Sequence, residues 1–230
     1  GESDGGGELA LSGEDFGAVE IDDGGAGGDE GAGVEGGGVA FDDATGEAGF
    51  AGTFAKAGYR TGYVGKAHFK TAHNFAPTGT PECRESSARY GDDWYGPYMG
   101  FDHVELMLEG HNGFPPMKPP LGQHYERWYH ADGQGEQRTA LYKESKGSGA
   151  LSGAHETWNS GLPVAWHNST WIGDRTVDHI KRAGDDPFCI WASFPDPHHP
   201  FDAPEPWCWM HHPDDVDLPR HGTLDLDRRP

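Results

Sequence analysis

The chain lacks several features that would assign it to common classes of protein. No run approaches the roughly eighteen apolar residues that a membrane helix needs, and the start has neither the basic nor the apolar stretch of a signal peptide. Its 3 cysteines, Cys83, Cys189 and Cys208, have no C-x-x-C spacing, which argues against a disulfide framework or a cysteine zinc site. Because 17 Lys and Arg stand against 38 Asp and Glu, there is no basic surface for nucleic acid.

These absences predict a soluble chain that binds neither membranes nor nucleic acids. The visible sequence favours a cytoplasmic location, and a periplasmic or secreted one would follow if a signal peptide precedes it. The length of 230 residues suits one sizeable domain. Nothing in the sequence indicates an oligomeric state.

Residues 1–46 differ in composition from the rest of the chain. The first 47 residues contain 14 acidic residues and no Lys or Arg, and so carry two thirds of the formal net charge of −21. The segment is mostly Gly, Asp, Glu, Ala and Val without a period of 2 or 3.6, which predicts that residues 1–46 are disordered. These five amino acids share codons that begin with G, so residues 1–46 could instead be an out-of-frame translation of a GC-rich gene.

A helix and a strand are predicted where the composition changes. Residues 47–57 carry an apolar stripe suited to one helical face and are followed by Gly58, a typical residue at the end of a helix. Residues 59–65 then indicate a short strand. Residues 71–165 are rich in Pro, Gly, His and aromatic residues, and we expect them to be largely irregular, with a candidate strand at 101–108.

A second helix and strand are predicted further along the chain. Residues 171–182 have apolar side chains at helical spacing, with Ser169 or Thr170 as the cap. The nearly unbroken apolar run at 188–194 is typical of a central parallel strand that is covered on both faces. Two helix and strand pairs predict an α/β fold with a layered sheet and flanking helices.

Polar residues follow the first predicted strand. Lys66 and His68 come directly after it, where open α/β sheets bind their ligands, and in extended backbone both side chains point to one face. An ammonium beside an imidazole suits a tetrahedral oxyanion, because the first supplies charge and the second donates a hydrogen bond or moves a proton. The alternative, which the spacing alone favours, is a pair of solvated polar residues.

A histidine pair follows the second predicted strand. His198 and His199 lie between Pro197 and Pro200, and prolines fix the backbone on either side of them. A rigidly held imidazole at the end of a strand favours a functional site, and a stiff surface turn explains the pattern equally well. Adjacent side chains of an extended segment point in different directions, so we expect only one of the two histidines to reach a site.

Taken together, these segments resemble the type I sulfatases of the alkaline-phosphatase-like superfamily. Residues 57–68 (AGYRTGYVGKAH) are similar to the family's "GY-T---GK-H" segment and residues 197–201 (PHHPF) to its "PH-P" segment, with looser similarity at 171–180 and 204–207. The resemblance covers residues 47–230. It implies that they form part of a sulfatase catalytic domain, with an alkaline-phosphatase/sulfatase-like layered sheet that is incomplete in this chain.

The resemblance also implies roles for three residues. Lys66 would bind the sulfate group, His68 would contact the nucleophile or the sulfate, and His198 would bind sulfate or protonate the leaving alcohol. In such enzymes a formylglycine attacks sulfur, and a divalent cation, usually Ca²⁺, holds the sulfate oxygens. The substrate would be a small-molecule or glycan sulfate ester.

One departure from the family pattern bears on activity. The formylglycine motif, C-x-P-x-R or S-x-P-x-R, occurs nowhere in the 230 residues, and no residue of this chain is assigned as a calcium ligand. We therefore expect the chain itself to be inactive. Two alternatives remain: a phosphonate or phosphate ester hydrolase of the same superfamily, and a non-catalytic module in which Lys66, His68 and His198 hold a sulfated glycan.

Overall fold

The computed structural model of the chain describes residues 49–70, 76–111, 114–148 and 156–217. The predicted disordered or out-of-frame segment, 1–46, lies outside the described residues. Within the described ranges no helix is both long enough and apolar enough to cross a membrane.

The first predicted helix and strand are confirmed. Helix α1 spans Phe50–Lys56 and strand β1 spans Arg60–Lys66. Between them Gly58 has a φ of 87°, a backbone conformation that glycine adopts without the steric cost of a Cβ. The inner residues of β1 are buried on both faces, which makes β1 the most enclosed strand of the sheet.

The described part of the region expected to be largely irregular, 71–165, contains more regular structure than predicted. The candidate strand is confirmed as β2, His103–Met107, but the prediction missed a one-turn helix and two longer helices: α2 (Arg84–Ser87), α3 (His124–Ala131) and α4 (Gly135–Ser148). At the start of helix α3 the Gln123 amide donates to Glu126 Oε2 at 2.8 Å, which is one of the two hydrogen bonds of a capping box. Helix α4 has few apolar residues, so it shows no apolar stripe in the sequence.

The second predicted helix is confirmed with a different cap. Helix α5 spans Asn168–Ala183, and its N-cap is His167, whose Nδ1 accepts a hydrogen bond of 3.3 Å from the Ser169 amide. The prediction of Ser169 or Thr170 as the cap was wrong, because the helix begins before both residues. An imidazole nitrogen replaces the hydroxyl oxygen that usually satisfies the first free amides.

The last strand is present, but it is not a covered central strand. Strand β3 spans Phe188–Ser193, and the described sheet is parallel with the order β2-β1-β3. The side chains of Phe188 and Trp191 are each 42 % exposed. The apolar run therefore forms an edge of the described sheet, and β1 takes the central place that the sequence suggested for β3.

Two apolar clusters pack on the two faces of this small sheet. Neighbouring residues of β1 point to opposite faces, so Tyr63 belongs to a cluster with α1 and Phe101, while Val64 belongs to a cluster with α3 and α5. The structure therefore has a mixed α/β fold with a three-stranded parallel sheet and flanking helices. Because the strands are parallel, the segments after Lys66, Met107 and Ser193 leave the same edge of the sheet.

Candidate functional site at the carboxyl edge of the sheet

Lys66 ends the central strand as a half-buried ammonium. Among the described residues no carboxylate oxygen lies within 4.0 Å of its Nζ, and burial lowers the pKa of this ammonium. The backbone at Lys66 is held firmly, because its carbonyl oxygen accepts hydrogen bonds from the Tyr63 hydroxyl and, at 2.8 Å, from Ser193 Oγ. A fixed cation without a protein anion can interact favourably with an anionic ligand.

Gly65 permits the close approach of β1 and β3 before Lys66. It has a φ of 114°, and a Cβ at this position would lie 2.1 Å from the Ser193 carbonyl oxygen. Only glycine fits such an approach at a positive φ. The glycine in the "GK-H" pattern thus has a local structural reason, which is to seat the end of β1 against the end of β3.

The loop after Lys66 is anchored by a buried carboxylate that the sequence analysis missed. Glu82 is 1 % exposed and accepts hydrogen bonds from the Phe69 amide at 2.9 Å and from the Tyr98 hydroxyl at 2.8 Å. Burial raises the pKa of Glu82, while these hydrogen bonds and the nearby imidazole of His68 act to lower it. His68 itself is exposed, so the anchor fixes its backbone and leaves its ring to solvent.

His198 lies in the turn after β3, as the sequence predicted. Its side chain is exposed; its ring centroid lies 4.2 Å from that of His199 and 6.1 Å from that of His111, which follows β2. His198 Nδ1 hydrogen-bonds to the carbonyl oxygen of His199. The turn also touches α5, where Ser169 Oγ donates to Asp196 Oδ2 at 3.1 Å.

The structure brings the three predicted residues to one edge of the sheet without joining their side chains. Within the described residues no hydrogen bond, ion pair or ring contact links Lys66, His68 and His198 to one another. The segment after β3 also carries a buried carboxyl group: burial raises the pKa of Asp202 to about 7, and the neighbouring Asp196 carboxylate adds to the rise, so Asp202 is partly protonated at neutral pH.

The described residues do not fit a calcium site at this edge. Ca²⁺ takes six to eight oxygen ligands, and among the described residues only one group of three or more His, Cys, Asp or Glu has ligand atoms within 4.8 Å of one another. That group contains two imidazoles and lies elsewhere. No step at the carboxyl edge can be assigned to a cation held by these residues.

The group in question lies near the amino end of β2. Its members are His103, Glu105 and His179, with Glu105 Oε1 at 3.2 Å from His103 Nε2 and 3.6 Å from His179 Nε2. The sequence analysis did not predict it. Two of its residues alternate along β2 but the third lies more than seventy positions away on α5, so no local spacing signals the group.

In comparisons with known proteins, no protein-family model matches the chain, and no curated protein is significantly similar to it. The similarity of residues 57–68 and 197–201 to sulfatase segments therefore rests on these motifs alone.

Proposed function

We propose that the chain provides the sulfate-binding side of a sulfatase active site, and that the parent enzyme hydrolyses sulfate esters through formylglycine and Ca²⁺. The observation that carries the proposal is Lys66: a half-buried ammonium without a carboxylate partner, at the carboxyl end of the central parallel strand. A sulfate group would supply the missing counter-charge. His68 and His198 follow the ends of neighbouring strands, where they could approach the same ligand.

We propose that the chain alone binds sulfate esters and does not hydrolyse them. It contains no C-x-P-x-R or S-x-P-x-R sequence for formylglycine formation, and its described residues hold no set of oxygen ligands for Ca²⁺. Within the chain, Lys66 would neutralise sulfate charge, and His198 could donate a proton towards the ester oxygen. The attack on sulfur would depend on groups that these residues do not supply.

Sulfate binding is the direct test of this proposal. The chain is titrated with inorganic sulfate and with 4-nitrophenyl sulfate while ¹H–¹⁵N NMR shifts are recorded. We expect shifts in the segments after β1 and β3, and at least about tenfold weaker binding in Lys66→Ala. The matched control is Lys181→Ala, which removes an exposed ammonium near the carboxyl end of α5.

Two outcomes would contradict the proposal. Equal binding by the native chain and Lys66→Ala would show that Lys66 does not bind the anion. Release of 4-nitrophenol by the purified native chain would show that the chain is active by itself. A parallel titration with phenyl phosphonate tests the alternative of a phosphonate or phosphate ester hydrolase. Because sulfate and phosphonate groups are both tetrahedral anions, the ligand that binds more tightly distinguishes the two functions.

A further inference from the structure

The histidine and glutamate group on the β2 side of the sheet is assembled from two elements. His103 and Glu105 are two residues apart on β2, and so their side chains leave the same face of the strand. His179 comes from α5, and its ring centroid lies 4.2 Å from that of His103 at an interplanar angle of 76°. The nearly perpendicular rings leave both Nε2 atoms close to the same carboxylate oxygen.

The separations of these atoms match those between ligands of one tetrahedral metal ion. Ligands at about 2.0–2.1 Å from Zn²⁺ lie about 3.3–3.4 Å from each other. The two measured separations from Glu105 Oε1, 3.2 Å and 3.6 Å, fall on either side of that value. All three ligand atoms lie within 4.8 Å of one another, so a small movement of one imidazole would complete the arrangement.

His179 is positioned by the sheet and has an unused nitrogen. A Cβ on Gly62 of β1 would lie 3.1 Å from His179 Nδ1, so the absence of a side chain at Gly62 creates the space in which the ring sits. The His179 side chain is only 10 % exposed, and its buried Nε2 has no hydrogen bond of 3.5 Å or less among the described residues, only the long 3.6 Å contact with Glu105 Oε1. A buried polar atom without a partner is costly, and a metal bond would satisfy it.

Arginines compete for the same carboxylate. Arg182 Nη2 lies 3.3 Å from Glu105 Oε1, and Arg175 is close enough to act on the charge of Glu105. The Arg182 side chain is 53 % exposed, so it can turn towards solvent at little cost. The two arginines supply positive charge to the buried Glu105, but they leave His179 Nε2 with only its long 3.6 Å contact to the carboxylate.

We propose that His103, Glu105 and His179 form a binding site for a transition-metal dication, with Zn²⁺ as the best match. Two imidazole nitrogens and one carboxylate oxygen are a ligand set that zinc sites use together with a water in the fourth position. Ca²⁺ and Mg²⁺ prefer oxygen ligands alone. The ion would link β2 to α5, and it is independent of sulfate binding at the opposite edge of the sheet.

Cobalt binding tests the site directly, because tetrahedral Co²⁺ with nitrogen and oxygen ligands absorbs visible light and substitutes for Zn²⁺. The native chain, freed of metal by a chelator, is titrated with Co²⁺. We expect one ion per chain, displacement by Zn²⁺ and no displacement by Ca²⁺. We also expect the thermal unfolding midpoint to rise with Zn²⁺, since an ion that binds only the folded state stabilises it.

The variants separate this site from the other histidines of the chain. His103→Gln and His179→Ala should each weaken Co²⁺ binding by about a hundredfold. The matched control replaces the exposed pair His211 and His212 by Ala, and it should bind like the native chain. Arg182→Gln should bind about tenfold more tightly, because it removes a positive charge next to the ion.

His103→Gln is the decisive variant. The His103 side chain is 28 % exposed, so its replacement should leave the fold intact, which circular dichroism verifies. The proposal is overturned if the native chain takes up no stoichiometric Co²⁺, or if folded His103→Gln binds Co²⁺ as tightly as the native chain. It is also overturned if Arg182→Gln loses binding, because that result would make the group an ion-pair network that depends on the arginine.

Discussion

The two ends of the sheet hold their polar residues in different ways. At the carboxyl edge, Lys66, His68 and His198 follow the ends of neighbouring strands and make no contact with one another among the described residues. On the amino side, the side chains of Glu105 and His179 are only 5 % and 10 % exposed and lie 3.6 Å apart within a compact group. The first set is recognised from motifs in the sequence, and the second appears only when β2 and α5 come together.

Local motifs and clusters assembled from separate elements depend on the sequence in different ways. A motif such as "GK-H" can be recognised in the sequence because its residues are close together in the chain. Its geometry depends on a few supporting residues such as Gly65 and Glu82. A cluster from separate elements depends on the whole packing arrangement. Single substitutions at the supports of the carboxyl edge should therefore have large effects on the free energy of unfolding.

The largest effect is expected for Gly65→Ala. The new Cβ would lie 2.1 Å from the Ser193 carbonyl oxygen at a φ of 114°, so β1 and β3 would have to separate. We expect a loss of about 3–4 kcal/mol in the free energy of unfolding, measured by urea denaturation.

Gly173→Ala is the matched control for this substitution. Gly173 lies within α5, and nothing is within 4 Å of the position of its Cβ. Since alanine favours a helix more than glycine does, we expect a gain of about 0.5–1 kcal/mol. Equal effects of the two substitutions would mean that β1 and β3 do not meet closely at Gly65.

A loss of about 3 kcal/mol is expected for Glu82→Ala. The change leaves the Phe69 amide and the Tyr98 hydroxyl without their buried acceptor, and each unsatisfied buried group costs about 1–3 kcal/mol. Glu82→Gln keeps an acceptor oxygen and should cost less. Denaturation of both is compared with that of Glu85→Gln, which alters an exposed side chain; an equally small loss for all three would show that Glu82 does not anchor the loop.

The sequence was sufficient for the fold class and for the helix and strand pairs around Lys66 and His198. It was wrong about the position of β3, because an apolar run records only the tendency to be buried and not which strand lies in the middle of the sheet. Phe188 and Trp191 remain partly exposed in the described structure. The run in the sequence could not reveal this, because the exposure depends on what packs beside β3.

The sequence also could not predict the residues that support or assemble the sites. Glu82 lies in a proline-rich loop with no periodic pattern, and its role depends on the contact with Tyr98. His179 lies on the helical face that meets β2, and its partners are set by tertiary packing. Helix α3 offered only a partial signal, since Glu126 occupies the third helical position of a capping box but Gln123 is not one of the usual N-cap residues.

A change of about 3 kcal/mol in the free energy of unfolding with pH is expected from His124, which is close enough to Glu105 and His103 to feel their charges. His124 Nδ1 accepts from the Leu106 amide at 2.9 Å and Nε2 faces the Trp94 carbonyl at 2.8 Å, so the neutral ring satisfies both partners. Burial lowers its pKa to about 4. Between pH about 6.5 and 4 the unfolded chain therefore binds more protons than the folded chain, and stability should fall as the pH falls.

The contribution of His124 is isolated by comparing how steeply the free energy of unfolding changes with pH in three proteins. Urea denaturation at several pH values should show a smaller dependence on pH in His124→Gln than in the native chain. His211→Gln, at an exposed position, is the matched control and should keep the native slope. The same slope in all three proteins would mean that His124 is not held in its neutral form.

The smallest effect is expected at the amino end of the β1 and β3 pair, where an exposed ion pair replaces the tight glycine contact of the carboxyl end. Arg60 Nη2 lies 2.6 Å from Asp186 Oδ2, with side chains 62 % and 55 % exposed. Solvent screens such a pair, so Asp186→Asn should cost about 0.5 kcal/mol or less in urea denaturation, and the cost should shrink further in high salt. A loss comparable to that of Gly65→Ala would mean that the contacts at the two ends of the strand pair contribute equally to the free energy of unfolding.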